Sequence, residues 1–560
     1  MFRFFLPCWL LLACLPQLSW SQEQASAAPN IFLFYADDWV KIASCYANPE
    51  EPSLNDVIET PHIDRIALEG VQFNNAFFPV PQCSPCRGSL VSGSYFWRCG
   101  THAFLRTYGW GKAPNPMDDL PCFPEILEQQ GYHTAKAVKT LPFEPSPPAG
   151  KKQISKKAQK KSSQQFLRYG LHVSQAKTEA ERKARHQEVV DQTRAMILEV
   201  LANTPPGKPF FFVFGPINTH RPFALGSGKE LWGIEPDSIE GKVPPFLPDV
   251  PAVREDLADY LGEILALDLM LGVILEELES AKKLDETLVV LTGDNGAPGF
   301  PRGKTQLYDF GTAAPLMARL PGVIEPGRQV SDMVNIMDLA PTFLELAGAE
   351  IPAEVDGESL MPQLTAKQNG QIVPERDAVV FGRERHFVTA RPGFLPYPAR
   401  AIRTEDFLYI ENLKPKRWPL GNPYDLDPDN PPPFETLMDY ENLGASPFRD
   451  LDNSLTKAWV ISQRNTPGNR KFYRYAFARR PAEELYDLRK DPHQLDNLAE
   501  EAAYAEVKNQ LAERLLQVRS STNDPRLQDT FDRPPYIETG FEALPERLQA
   551  APENQEEKQE

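Results

Sequence analysis

The sequence predicts an α/β protein: a mixed, mostly parallel sheet covered by helices on both faces, followed by a smaller α+β subdomain. Two observations carry this. Apolar runs of strand length stop abruptly at acidic or amide side chains, in NIFLFYADDW (30–39) and TLVVLTGDNG (287–296). Between such runs lie segments with the apolar spacing of helices. An apolar run without alternation fits a strand buried on both faces, and strand–helix alternation fits a doubly covered sheet.

Along the chain, TPHIDRIALEG (60–70) has a Thr-Pro start, apolar residues at Ile63, Ile66 and Ala67 and a Gly stop, which predict a helix. VQFNNAFF (71–78) reads as one short strand. PCFPEILEQQGYHTAKAVK (121–139) reads as a helix ended by Gly131 and then a strand. Residues 144–164 are basic and of low complexity, a solvated surface loop. Residues 177–203 are expected to be helical, and KPFFFVFGPINTHRPF (208–223) is a core strand opening into a loop at His220. A long helix is expected over 253–280. Beyond it, AIRTEDFLYIENL and KFYRYAF are each predicted as a strand of a small antiparallel sheet, closed by a helix at 500–518.

At 560 residues the chain suits one large domain plus a smaller one, here 29–375 and 376–545, ahead of an acidic, disordered tail at 546–560. Its formal charge of −18 argues against nucleic acid as a partner. Local Arg and Lys can still serve a small anionic substrate. The apolar run Phe4–Leu15 is too short to span a bilayer and reads as a secretory signal within residues 1–28. Leu11-Leu12-Ala13-Cys14 also resembles a lipoprotein box, so the protein is expected to be exported, periplasmic or secreted, with a lipid anchor at Cys14 as the variant. No second segment is long enough to cross a membrane.

Seven cysteines fall at 8, 14, 45, 83, 86, 99 and 122. Cys45, Cys99 and Cys122 suit buried thiols or one local bridge. Cys83 and Cys86 form a C-x-x-C inside FFPVPQCSPCRGSLVSG (77–93), a Pro-rich, turn-like stretch. Alone it would suit a redox pair or half a zinc site, yet no second C-x-x-C exists.

Asp37, Asp38, Asp294 and Asn295 end different apolar runs. In open α/β sheets ligands bind at the carboxyl ends of strands, so these four share one place. Clustered carboxylates repel without a cation, and an all-oxygen set suits a hard ion, Ca²⁺ or Mg²⁺.

Together PNIFLFYADD, CSPCR, the histidine of THRPF, GDNG, GKTQLYDFGTAAPL and the tail ELYDLRKDPHQLDNLA (484–499) resemble the sulfatase family. The likeness is strongest to the branch holding heparan N-sulfatase and bacterial polysaccharide sulfatases. It implies an alkaline-phosphatase-like sheet and hydrolysis of a sulfuric ester. It implies that a formylglycine-generating maturation enzyme converts Cys83 of C-x-P-x-R to formylglycine (3-oxoalanine), whose hydrate supplies the oxygen nucleophile. It assigns one Ca²⁺ to Asp37, Asp38, Cys83, Asp294 and Asn295, and catalytic parts to Cys83, Arg87, Lys139, His220 and Lys304. Lys139 and Lys304 would bind sulfate, Arg87 would hold the hydrate and its turn, and His220 would protonate the leaving oxygen.

One position departs from the family. Where a histidine usually follows the first lysine by two residues, this chain has Leu141, and Val138 replaces the glycine before Lys139; His102 is the nearest substitute in sequence. Arg302, Arg385 and His386 are expected to contact substrate, with Arg383, Arg400 and Arg403 nearby, which suits an acidic, sulfated glycan. By the same resemblance Lys304 stands where the N-sulfatase carries arginine, which favours an O-sulfate over the alternative, an N-sulfoglucosamine sulfohydrolase. An alternative of another class is an exported glycan-binding pseudoenzyme. A phosphatase of the same superfamily would need a second metal and further ligands, which GAPGFPRGKTQ does not offer.

Overall fold

The computed structural model describes residues 28–104, 119–146, 168–424, 426, 447–533 and 536–537. The N-terminal apolar run with Cys14, the basic segment from residue 147 and the acidic tail lie outside them.

The first part of the chain supplies β1 (Asn30–Ala36), β2 (Val71–Phe73), β3 (Ala76–Phe77), β4 (His133–Val138), β5 (Phe210–Gly215), β6 (Thr287–Gly293), β7 (Leu316–Arg319), β8 (Arg328–Val330) and β9 (Val334–Asn335). Seven of them form the main sheet in the order β4-β5-β1-β6-β7-β2-β8. Only β7 runs against its neighbours, β6 and β2. The apolar runs divide by parity. Ile31, Leu33 and Tyr35 of β1 pack on one face with Cys86 and Leu90 of the helix Cys83–Ser92. Phe32 and Phe34 pack on the other with Ile63, Ile197 and Leu271, from the helices Pro61–Leu68, Glu179–Asn203 and Pro251–Ser280. Both faces are dry around the central strands β5, β1 and β6, which are therefore almost wholly apolar.

Register fixes which side chains leave the sheet together. Ala36 pairs with Gly293, so Asp37 and Asp294 leave the sheet side by side. Val138 pairs with Gly215 of β5, so Lys139 leaves the sheet at the same end, two strands from Asp37.

The second sheet is antiparallel, β10 (Ala378–Arg383), β11 (Ala399–Thr404), β12 (Phe407–Asn412) and β13 (Glu483–Asp487) in that order. Val380, Ile402, Tyr409 and Leu485 share a core with Leu90 and Phe96, and Arg400 pairs with Glu384 and Asp524 at 2.9 Å each.

Four expectations need correction. AIRTEDFLYIENL is not one strand: a turn at Glu405-Asp406, with Phe407 N donating to Thr404 Oγ1 at 3.1 Å, folds it into β11 and β12. KFYRYAF is helical, within Arg470–Phe477, because Tyr473 and Phe477 lie one turn apart and both pack on Phe448, Phe477 stacked and Tyr473 edge-on. The fourth strand is instead Glu483–Asp487. VQFNNAFF breaks at Asn74-Asn75 into β2 and β3, which belong to different sheets.

The fourth is the Cys83 turn, which is a helix, Cys83–Ser92. Pro85 sits at its third position, where the missing N–H has no helical partner to lose, and Gly93 at φ 66° ends it in the left-handed conformation. All five cysteines among the described residues, including Cys45, Cys99 and Cys122, are free thiols. The closing helix runs over Ala505–Ser521.

Candidate active site

The site forms where β1, β4 and β6 end against the start of the Cys83 helix. Asp38 adopts φ 63°, a left-handed geometry that Asp tolerates, and its N–H donates to Asp294 Oδ1 at 2.9 Å. Thr219 and Tyr260 hydroxyls donate to the carbonyls of Asp37 and Asp38 at 2.5 and 2.9 Å. Cys83 occupies the first helical position, where unpaired N–H groups and the helix dipole favour negative charge. Ligand atoms of Asp37, Cys83 and Asp294 lie within 4.8 Å of one another, and Cys83 Sγ is 4.0 Å from Asp38 Oδ1. Asn295 donates to Asp38 Oδ1 at 2.5 Å, and its own buried Oδ1 has no hydrogen-bond partner. Three carboxylates and an unsatisfied amide oxygen fit a hard cation.

Three cations and a histidine converge on these acids. Lys139 Nζ meets both oxygens of Asp37 at 2.6 Å. Lys304 Nζ, fully buried, meets Asp38 Oδ2 at 2.8 Å. Arg87 grips Asp294, donates to the Lys139 carbonyl at 2.8 Å and stacks over the Tyr35 ring at 4.6 Å. His220 Nε2 is 4.0 Å from Asp37 Oδ2. Its Nδ1 lies 2.7 Å from the Arg221 carbonyl, an acceptor only, which assigns the ring proton to Nδ1 and leaves Nε2 to exchange protons.

Charge sorts the acids. Burial raises Asp37, but Lys139, His220, Arg87 and Lys304 outweigh it and hold that carboxyl well below the usual range. Burial, partly offset by Lys304 and reinforced by Asp37, pushes Asp38 up to about 6. Burial, partly offset by Arg87 and reinforced by Asp37, pushes Asp294 up to about 7. Burial pushes the Cys83 thiol up to about 12, so the unmodified thiol is a poor nucleophile at neutral pH. Burial and Lys304 push His220 down to about 4.

Other expected site residues stand elsewhere. Arg302 is not free for substrate: its guanidinium donates to the carbonyls of His493 and Gln494 and stacks on Tyr308 at 4.2 Å. Arg385, 2% exposed, donates to the Phe394 carbonyl and lies over Phe104 at 5.2 Å. Arg383, Arg400 and Arg403 pair with Asp450, Glu384 plus Asp524, and Asp309. The cations expected to read a second acidic group are therefore spent inside the protein. His386 is buried but near the centre: Lys304 and Asp452 both act on its ring, and its Nδ1 has no hydrogen-bond partner. Leu141 is packed in the core, 1% exposed, while His102 lies beside the Cys83 helix, its Cβ 3.7 Å from where a Gly88 Cβ would sit. Sequence reading missed Asp452, whose Oδ2 is 3.5 Å from Lys304 Nζ, because one acid in a loop carries no pattern.

Residues 29–349 match the model of the sulfatase family. The chain belongs to the sulfatase family. This sulfatase is thus a hydrolase acting on sulfate esters, and its fold is the alkaline-phosphatase-like one expected. Residues 302–445 also match a model described as N-sulphoglucosamine sulphohydrolase, C-terminal. Its relatives include the Homo sapiens N-sulphoglucosamine sulphohydrolase, 27% identical over 531 residues, covering 89% of this chain and 91% of that protein. An ulvan-active sulfatase of Formosa agariphila is 23% identical over 541 residues, covering 89% and 76%. A structure solved with its substrate D-glucosamine-2-N,6-O-disulfate matches with a TM-score of 0.55 at 20% identity, covering 89% of this chain and 98% of that one.

Proposed function

We infer that this sulfatase removes sulfate from a sulfated saccharide, using formylglycine formed from Cys83 by a maturation enzyme and one calcium ion. The observation that carries the reading is the meeting of Asp37, Asp38, Asp294, Asn295 and Cys83 with Lys139, Lys304, Arg87 and His220 at adjoining strand ends. Asp37, Asp38, Asp294, Asn295 and residue 83 would hold the calcium ion, which fits the unpartnered Asn295 oxygen. Formylglycine at residue 83 would supply a hydrated aldehyde oxygen in place of the thiol, and a calcium ion held by these residues would favour its ionised form and offset charge on the sulfate oxygens. Lys139 and Lys304 bind the sulfate oxygens and oppose the charge that grows on them. Arg87 fixes residue 83 by tying Asp294 to the Lys139 carbonyl. With its resting proton on Nδ1, His220 would take up a second proton at Nε2, which the charge of a bound sulfate favours, and pass it to the sugar oxygen as it leaves.

The saccharide class follows from relatives named for N-sulphoglucosamine and ulvan, and from the neighbour solved with a glucosamine disulfate. Residues 29–375 serve as catalytic domain and 376–545 supply substrate contacts, in a chain exported by its N-terminal apolar run. The match of residues 302–445 to the N-sulphoglucosamine sulphohydrolase model favours a second reading, an N-sulfate as the group removed. The test is sulfate release by protein matured at Cys83, offered N-sulfated and 6-O-sulfated glucosamine and ulvan fragments. Release is expected from at least one, and none from Cys83→Ala. No release from any by fully matured protein would overturn the reading, and preference for the N-sulfated sugar would select the second.

A further inference from the structure

Lys304 separates two carboxylates that have different exposures. Asp38 is fully buried, whereas the Asp452 side chain is 16% exposed. The partly open groups of the site are Lys139 (32%), His220 (30%) and Asp452. Substrate must therefore enter past these three.

Asp452 is held there by construction. Asp450 accepts from the backbone N–H groups of His386 and Phe387 at 3.0 and 2.8 Å, pairs with Arg391 at 2.7 Å, and its carbonyl accepts from Thr305 at 3.1 Å. Ser454 caps the next helix, accepting from Lys457 N at 2.9 Å, and donates to the Gly299 carbonyl at 2.7 Å. One short segment thus ties Lys304, Asp452 and His386 together. Burial opposes the charge on Asp452, but Lys304 and Arg221 act electrostatically against that effect and help keep the carboxyl ionised. The neutral His386 ring, buried beside it, has its Nδ1 unpartnered.

A carboxylate at the mouth of an anion-binding site has no use toward sulfate itself, which it repels. It can accept from a hydroxyl, an amine or a sulfamate N–H on the sugar, and it opposes a second sulfate at the same place. We propose, resting on the function inferred above, that Asp452, backed by the buried His386, forms the subsite that reads the sugar atom neighbouring the cleaved sulfate, accepting a hydrogen bond from an N–H or O–H there and disfavouring a second sulfate. The substrate class is then a saccharide whose target residue carries a single sulfate at that locus. The internal pairing of Arg383, Arg400 and Arg403 agrees with this.

The experiment compares protein matured at Cys83 with its Asp452→Asn and Asp452→Ala variants on glucosamine bearing one sulfate and on the same sugar bearing a second sulfate on the neighbouring position. The readout is the ratio of kcat/KM for the two sugars. Asn keeps the shape and removes the charge. The ratio is expected to fall on the order of tenfold or more in both variants, mainly through KM for the singly sulfated sugar. Equal losses on both sugars, leaving the ratio unmoved, would mean that Asp452 only steadies Lys304, and the subsite would be refuted. If the parent protein releases sulfate from neither sugar while hydrolysing an aryl sulfate, the subsite assignment fails and the sulfatase chemistry stands. If it hydrolyses neither sugar nor aryl sulfate, the functional reading fails and the subsite with it.

Discussion

Arg87 holds one oxygen of Asp294 with two nitrogens, Nε at 2.8 Å and Nη2 at 2.7 Å from Oδ2. The other oxygen receives the Asp38 N–H, so one carboxylate joins the Cys83 helix to the ends of β1 and β6. Both partners are buried, at 4% and 0% exposure. Removing the guanidinium leaves a buried acid uncompensated, which costs about 3 kcal/mol. Arg87→Ala is expected to lower the denaturation midpoint accordingly and to abolish turnover. An unchanged midpoint would mean that the pair is not made in solution.

Calcium binding should depend on pH. Asp38, pushed up to about 6, and Asp294, pushed up to about 7, must lose protons to serve as ligands. Their raised values also mean that the metal-free fold binds more protons than the unfolded chain between the ordinary carboxylate range and pH 7. These two groups therefore stabilise the metal-free protein less as pH rises through that window. The rise in Tm on adding calcium is expected to be larger at pH 8 than at pH 5, read by calorimetry with and without chelator. A rise that is equal or larger at pH 5 would place the ion elsewhere.

The proton proposed to pass through His220 matters most when the leaving oxygen is a poor leaving group. His220→Ala is expected to cut kcat on a sulfated sugar by roughly a hundredfold or more. The loss on a nitrophenyl sulfate, whose leaving group needs little help, should be far smaller. Equal losses on both would assign His220 to sulfate binding alone.

Gly215 lets two strand ends meet. A Cβ there would lie 1.6 Å from the Lys139 carbonyl oxygen, which also accepts from Arg87. Gly215→Ala must push Lys139 and Arg87 apart from the site, so kcat/KM is expected to drop at least about tenfold with the circular dichroism spectrum retained. Unchanged kinetics would show that Lys139 does not need this placement.

Much of this was legible in sequence, for a physical reason. Asp37 and Asp294 follow runs that are apolar because both sheet faces are buried, so the acids mark strand ends without ambiguity. The Cys83 segment was not legible as a helix, since Pro85 and Gly88 signal turns and burial against the sheet overrides them. Aromatic content made KFYRYAF look like a strand, whereas its partner Phe448 is remote in sequence. The arginines of β10 and β11 read as ligand-facing because their acids, Asp309, Asp450 and Asp524, lie far along the chain. Asp452 gave no signal at all, being defined only by its distance to Lys304.

The most direct test of the catalytic chemistry is the mass of the peptide carrying Cys83, taken from protein made in its native host. Formylglycine at residue 83 is expected, with sulfatase activity proportional to its fraction across preparations. An unmodified thiol at residue 83 in fully active protein would contradict the proposed nucleophile.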